Sequence, residues 1–523
     1  MRLFRWCFSA RVLRLVVRLF AGLAVILALF YCEEDLRGWR AWTNYLSHSG
    51  ITPVQLDVRA YIPKPIPDDQ NFAATPVVKR WFVVQTKNEP FNSDHFSKAP
   101  SSLVQPLKDV EKYQRRQPLD LQAWQDMFSE TTRPVYSSTR NNETSRSSQP
   151  SQREAATAVL AFLQDDEATL QSLRTASMRS KACYPVKYNL EDPWSTLLPH
   201  ASNIKELAVR VELKACAELI EGDSDKAFDD VMFTLYLADT LTNDSIVVSY
   251  LIRAVCVHAV VQPIWEGLVQ ERWSESQLHQ MQTRLLQFHF IADLDNPLKS
   301  ERAEGILTVD LTKRRGVRYL ARIATTEPNI FEGPLGRVFD LAIPSGWFAL
   351  EKVNYCRAFN NVFTNTFDPT AGTISPLRIA SHRQELDQET GGSGRTAAGI
   401  ILSHRTVVRL LLTALPNVLF RAAIAQTAAN QAALACALER YRLANSDYPV
   451  SLDALVPQWI SIMPHDVIDG EAYRYRRIEP NRFILYSVGW NQKDDGGKQG
   501  ESLFGREGDW VWEYPRQHLT QAQ

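Results

Sequence analysis

A chain of 523 residues is too long for one ordinary hydrophobic core, so two or three domains are expected. Hydrophobic residues at 45% and charged residues at 22% are the composition of a folded protein and exclude a disordered one. Lys and Arg total 58 against 59 Asp and Glu, and the formal net charge of -1 excludes a global field that would draw nucleic acid.

The local charge asymmetry sits at the start. Arg2, Arg5, Arg11, Arg14 and Arg18 precede the apolar run Leu19 to Tyr31, and Glu33, Glu34 and Asp35 follow at once. Positive residues stay on the cytoplasmic side, so the rest of the chain is expected outside. Counted from Leu15, the segment 15–31 extends roughly 25 Å at 1.5 Å per residue, enough to cross a bilayer if Arg18 snorkels to the headgroups. A cleaved signal peptide competes with this reading. Its cleavage site would be poor, because Leu29, Phe30 and Tyr31 are large where small residues are wanted, and Tyr31 also spoils a lipobox before Cys32. An uncleaved anchor over residues 1–35, with its basic tip in the cytoplasm, is therefore expected.

Residues 36–153 read as a Pro-rich and partly disordered region. Pro63, Pro65 and Pro67 force an extended path, Trp81-Phe82-Val83-Val84 predicts a short strand, and the Ser/Thr/Asn/Arg/Gln stretch from Thr131 to Gln152 predicts a mobile loop. Residues 154–368 are helical by periodicity. Ile204, Leu207, Ala208, Val211, Ala215 and Leu219 share one face, with Asn203 at a capping position and Glu221-Gly222-Asp223 as the stop. A second helix carries Ala227, Phe228, Val231, Leu235 and Ala238 inward; a third begins near Ser245 and is expected to be interrupted by Pro263. Ser274 and Gln277 form a capping box for a fourth, with Leu278, Met281, Leu285 and Phe288 facing inward. These hairpins predict a solenoid-like helical body, and Gly222 to Ala227 faintly resembles the start of the second helix of a tetratricopeptide repeat, without a sustained repeat.

A further helix is expected from Ser345 to Asp368, a polar linker over 369–394, and a long helix from Arg395 to about Asn445, bent at Pro416. The seven cysteines show no metal-ligand spacing; Cys216, Cys256 and Cys436 read as small core hydrophobes. Metalloprotease, Walker, nucleophile-elbow and dinucleotide patterns are all missing. His258 reads as a core histidine, and Asp165-Asp166-Glu167 and Glu33-Glu34-Asp35 read as solvated helix starts.

The last part of the chain carries the clearest likeness. Ala437-Leu438-Glu439-Arg440-Tyr441-Arg442, Asp447-Tyr448-Pro449, Leu452 to Val456, Tyr473-Arg474-Tyr475, Phe483 to Gly489 and Asp494-Asp495-Gly496-Gly497 stand in an order that resembles the globular head of the major pseudopilins of type II secretion. The segment Ile62 to Pro76 looks like one in membrane-anchored bacterial envelope proteins that also carry such ends. The likeness implies an α+β head over 395–523 and an inner-membrane protein with a single pass. It also implies a calcium site, since Ser487-Val488-Gly489, Asp494-Asp495-Gly496-Gly497 and Gly508-Asp509-Trp510 match the order of the family's calcium loop. Calcium takes six to eight oxygens, and Asp494, Asp495 and Asp509 are the side chains expected to supply them. An ordinary turn is the alternative for the same residues. The family's leader, its processing site and its assembly helix with an early glutamate have no counterpart here, which argues against polymerisation.

The fold expected is thus mainly α with a small α+β C-terminal domain behind an N-terminal transmembrane helix. The function expected is a structural or protein-interaction role, accessory to a secretion or pilus-like system, with the membrane and an unidentified protein as partners and no nucleic acid. The alternative is an extracytoplasmic hydrolase whose site is assembled from distant carboxylates or histidines.

Overall fold

The computed structural model describes residues 10–83, 118–131, 151–323, 340, 342–390, 403–413, 415–502 and 505–513. It is mostly helical, at 65%, with little sheet. The first helix, α1 (Ala10–His48), is long and apolar enough to cross a membrane, and its apolar stretch is wholly unburied. It runs past the expected end at Tyr31, because no proline occurs before Pro53 and Gly50, at φ +68°, is the first residue to take a helix-ending conformation. The boundary expected at residue 35 therefore falls inside α1.

The proline-rich stretch is not uniformly extended. It contains the 3₁₀ turns Pro53–Leu56, Val58–Tyr61 and Phe72–Ala74, and then the short helix α2 (Pro76–Arg80) with proline at its first turn. The strand expected at Trp81-Phe82-Val83 is a turn instead, since Trp81 donates its backbone N–H to Val78 O and buries its ring in the main core. Residues 132–150 of the expected mobile loop lie outside the described residues.

Helices α3 (Leu121–Thr131) and α4 (Gln152–Leu163) form a satellite core around Leu121, Trp124, Ala156 and Val159 against Val209, Leu213 and Ala217. After α5 (Glu167–Ala176) come the long helices α6 (Pro199–Glu221), α7 (Ser224–Thr240), α8 (Val247–Val269) and α9 (Glu275–Leu285). Two expectations about their ends hold: Gly222 is left-handed at φ +90°, and Ser274 with Gln277 makes the capping box of α9; Asp223, read only as part of the stop, also caps α7 through Lys226 N. Two do not. Asn203 is no cap, because α6 starts a turn earlier at Pro199, whose φ is pre-set for a first turn, and Asn203 Nδ2 donates to Pro199 O. Pro263 does not interrupt α8; burial of Val260, Val261, Ile264 and Trp265 around it outweighs the roughly 3 kcal/mol that an internal proline costs.

The chain continues through α10 (Phe290–Asp293), α11 (Asp295–Arg315), α12 (Arg318–Ile323) and α13 (Ser345–Phe363). The expected linker is ordered over its first part: strands β1 (Phe367–Asp368) and β2 (Thr373–Ile374) pair antiparallel, and α14 (Pro376–Thr390) follows. Gly391 to Gly394 lie outside the described residues. The long helix is broken rather than bent, into α15 (Thr406–Leu411) and α16 (Pro416–Asn445), with Pro416 at the first turn of the second piece.

Helix α16 is the centre of the molecule. Its stretch Ala422–Leu438 is buried throughout, with one side on α8 and α9 and the other toward an antiparallel sheet of order β3 (Arg474–Glu479), β4 (Arg482–Ser487) and β5 (Trp510–Glu513). Nine alanines from Ala422 to Ala437 let the neighbouring elements approach closely. Helices α8 and the run Thr406–Asn445 are also apolar enough to cross a membrane by composition, but 67% and 59% of their apolar windows are buried within the protein. They are core helices.

Candidate functional site

The C-terminal loop brings Asp494, Asp495 and Asp509 together, as the sequence led us to expect, but each carboxylate already has partners. Asp509 is fully buried; its Oδ2 accepts from Gly497 N at 2.7 Å and its Oδ1 from Asp495 N at 3.2 Å. Burial raises its pKa above the usual aspartate range. Asp494 accepts from Gly496 N (2.9 Å) and from the Tyr486 hydroxyl (3.1 Å). Asp495 accepts from Asn491 Nδ2 at 2.9 Å and faces Lys493 Nζ at 3.0 Å. Gly497, at φ +79°, packs on Tyr486, so any side chain there would be strained and crowded. Calcium would have to displace the Lys493 ammonium, and among the described residues no group of three or more His, Cys, Asp or Glu is arranged to hold a metal. As it stands, the loop is a hydrogen-bonded clamp on the sheet.

A second clamp had no sequence signal beyond its position. Asp466 is fully buried and accepts from Ser487 Oγ (2.9 Å), Val488 N (3.0 Å) and Ile468 N (3.0 Å). The two aspartates thus hold both ends of the turn that follows β4.

The helical body contains two polar clusters. In the first, Asp166 is buried against Arg210 (2.6 Å), and Glu167 faces Arg174 (3.1 Å) and Lys214 (3.6 Å). Arg174 and Lys214 both meet Asp230, and Lys214 also bonds Glu218 at 2.6 Å. Of the carboxylates expected as a solvated helix start, Asp165 is exposed, whereas Asp166 and Glu167 are counter-charges of a cationic core, because α6 places Arg210 and Lys214 where only an anion can offset them. Burial, followed by the charge of Asp230, pushes Glu218 up to about 8.

In the second cluster, Asp244 accepts from His200 Nε2 (2.8 Å), Ser249 Oγ (2.6 Å) and Tyr188 OH (3.1 Å), and Tyr184 stacks on His200 at 4.3 Å. Serine and histidine share the aspartate instead of bonding each other, so the arrangement lacks the nucleophile–base contact of an acyl-transfer triad. His258, singled out as a core histidine, lies half-buried on α8. On α11, Glu301 and Glu304 stand three residues apart, both half-buried. Burial pushes Glu301 up to about 7; burial and then the charge of Glu301 push Glu304 up to about 8. A spacing of three on a helix is the signal that could have found this pair.

The third constellation joins anchor and body. Up to Phe30 the large apolar side chains of α1 are exposed. Contacts begin where Tyr31 OH donates to Ala342 O at 2.8 Å. Asp35 Oδ1 accepts from Gly346 N (2.6 Å) and Glu34 Oε2 from Trp347 Nε1 (2.8 Å), while Gly38 and Gly346 lie backbone to backbone. Glu34 and Asp35 are thus not a solvated start of their own helix; Asp35 satisfies an orphan backbone donor at the start of α13 and Glu34 accepts from the Trp347 indole.

A cleft of about 700 Å³ lies between α14 and the head, lined by Arg383, Gln384, Asp387, Asn417, Trp490 and Arg506 among others. Arg506 stacks over Phe420 at 4.8 Å and bonds Asn417 Oδ1 at 3.3 Å. Comparison with family models, with curated proteins and with solved structures gives no match for this chain.

Proposed function

We propose that the chain is a single-pass envelope protein of the inner membrane with its body outside the cytoplasm, and that its role is structural or interactive. The observation that carries this reading is the unbroken passage of α1 from an unburied apolar span into a body that grips it through Asp35, Glu34 and Gly38. Such a junction fixes the body at the bilayer instead of letting it swing on a linker. The open cleft beside Trp490 and Arg506 offers a docking face whose aromatic and arginine residues suit a protein partner. The likeness of the C-terminal residues to a pseudopilin head supports a secretion-linked partner. In that reading calcium, if bound, would be held by Asp494, Asp495 and Asp509 and would rigidify the loop. The test is photo-crosslinking in cells from a benzoyl-phenylalanine at Gln384 or Gln388, with Lys226 as a control. A discrete adduct from the cleft positions alone is expected; no adduct, or the same pattern from Lys226, overturns the role.

One observation favours hydrolysis as a second reading. Glu301 and Glu304, both raised into the neutral range, are poised as acid and base at pH 7. Turnover of a panel of nitrophenyl esters and glycosides, lost in both Glu301→Gln and Glu304→Gln, is the result that would establish it. No turnover removes it for those substrate classes.

A further inference from the structure

We propose that the turn between α11 and α12 is a second membrane contact, resting on anionic phospholipid headgroups beside the anchor. The inference depends on the reading that α1 lies in a bilayer up to about Tyr31. That residue marks the level at which the chain leaves lipid, because the unbroken exposed apolar run that begins at Leu19 stops at Phe30, with only Leu36 and Trp39 exposed among the large apolar side chains farther along α1, and body contacts start at Tyr31. Its hydroxyl bonds Ala342 O, so Ala342 sits at the same level. Two residues earlier, Asp340 Oδ1 accepts from Val317 N at 2.6 Å, and its other oxygen faces Arg318 at 3.7 Å. Two peptide links cover at most about 7.6 Å. The α11–α12 turn is therefore tethered to the plane of exit through Ala342, two peptide links and the Asp340 side chain, a reach of the same order as the roughly 8–10 Å over which a charged surface acts in physiological salt.

What the turn presents there is cationic. Lys313, Arg314, Arg315, Arg318 and Arg322 are all exposed. The carboxylates that face them are Glu191, at 2.6 Å from Arg315 and 4.0 Å from Arg314, and Asp340; Asp192 is held by the Tyr319 hydroxyl at 3.2 Å. Five cations against three carboxylates leave +2. On α1 at the same level Arg37 and Arg40 stand against Glu33, Glu34 and Asp35, so the anchor subtracts one and the two elements together keep +1. Among the described residues Lys313 and Arg322 have no carboxylate partner. A cluster of exposed cations with two of them unpaired, next to a span, is the pattern that anionic lipid attracts.

The test uses the full chain in nanodiscs of phosphatidylcholine, with or without phosphatidylglycerol, and follows hydrogen–deuterium exchange over residues 313–323. Exchange about tenfold slower in the anionic discs is expected, with the protection relieved in 0.5 M NaCl and in Lys313→Gln/Arg322→Gln, whose side chains support no ion pair among the described residues. Equal exchange in both lipids, with the chain embedded, overturns the contact and leaves the anchor standing. Failure to enter discs of either composition overturns the anchor, and the contact with it.

Discussion

At the scale of single residues, the C-terminal loop separates two roles for the same carboxylates. Asp509 spends both oxygens on backbone amides, so Asp509→Ala leaves the N–H groups of Asp495 and Gly497 unpaired beside a buried cavity. The cost of such orphaned donors is about 1–3 kcal/mol. Asp494 is half exposed, and Asp494→Ala is expected to cost under about 1 kcal/mol. Thermal melts of the purified chain check this, with calcium and with chelator. The amide-clamp role predicts that Asp509→Ala melts lower in both; destabilisation confined to the calcium sample would show that the carboxylate acts through the metal. These aspartates were legible because Asp and Gly concentrate between residues 494 and 509, which marks a tight turn whatever it binds. Asp466 was not legible as a clamp, because its partners Ser487 and Val488 lie more than twenty residues away, and the nearby Asp469-Gly470 marks a turn without saying what Asp466 holds.

At the scale of elements, α1 and α13 meet through two glycines. A methyl on Gly346 would overlap Glu34 O, and one on Gly38 would overlap the backbone of Gly346. Backbone cannot move aside as a flexible side chain can, so Gly346→Ala is expected to cost about 1–3 kcal/mol and to release the membrane-distal half of α1. Limited proteolysis of the reconstituted chain is the check. New cleavage at Arg37 or Arg40, absent in the parent and in a Gly22→Ala control on the exposed span, is expected. Unchanged protection would mean that the hydrogen bonds of Glu34 and Asp35 hold the junction alone. The elements themselves were read from sequence in proportion to their amphipathic contrast. Helices α6 to α9 alternate apolar and polar faces and carry local punctuation at Gly222 and Ser274, so their number and most of their ends were visible. The role of α16 was hidden, since a helix buried between Ala422 and Leu438 shows no polar face to say which side meets the sheet. The grip of Glu34 and Asp35 on α13 was hidden for another reason: the partners are separated by more than three hundred residues, and no local pattern encodes them.

At the scale of the whole molecule, the body encloses carboxylates that resist ionisation. Burial raises Glu266, Glu301 and Glu351 to about 7 and, with neighbouring carboxylates, Glu218 and Glu304 to about 8, against an ordinary 4.5. A carboxyl whose folded pKa lies above its unfolded one binds more protons in the folded state between those two values. Stability therefore falls as pH rises from about 4.5 to about 8, and flattens above that. His404 opposes the trend, because burial and then Arg37 lower its pKa, so it weakens the fold as pH drops below about 6.5. One histidine against five carboxylates leaves the sign unchanged. The melting temperature of the full chain in detergent is expected to decline steadily between pH 5.5 and pH 8.5, a loss of at least about 2 kcal/mol at the basic end. Glu301→Gln/Glu304→Gln, which makes two of the five groups permanently neutral, should flatten the decline and melt above the parent at pH 8.5. A melting temperature that instead rises across this range would place these carboxylates among ionised, well-paired groups, and would remove the acid–base argument for the glutamate pair on α11 along with the stability argument.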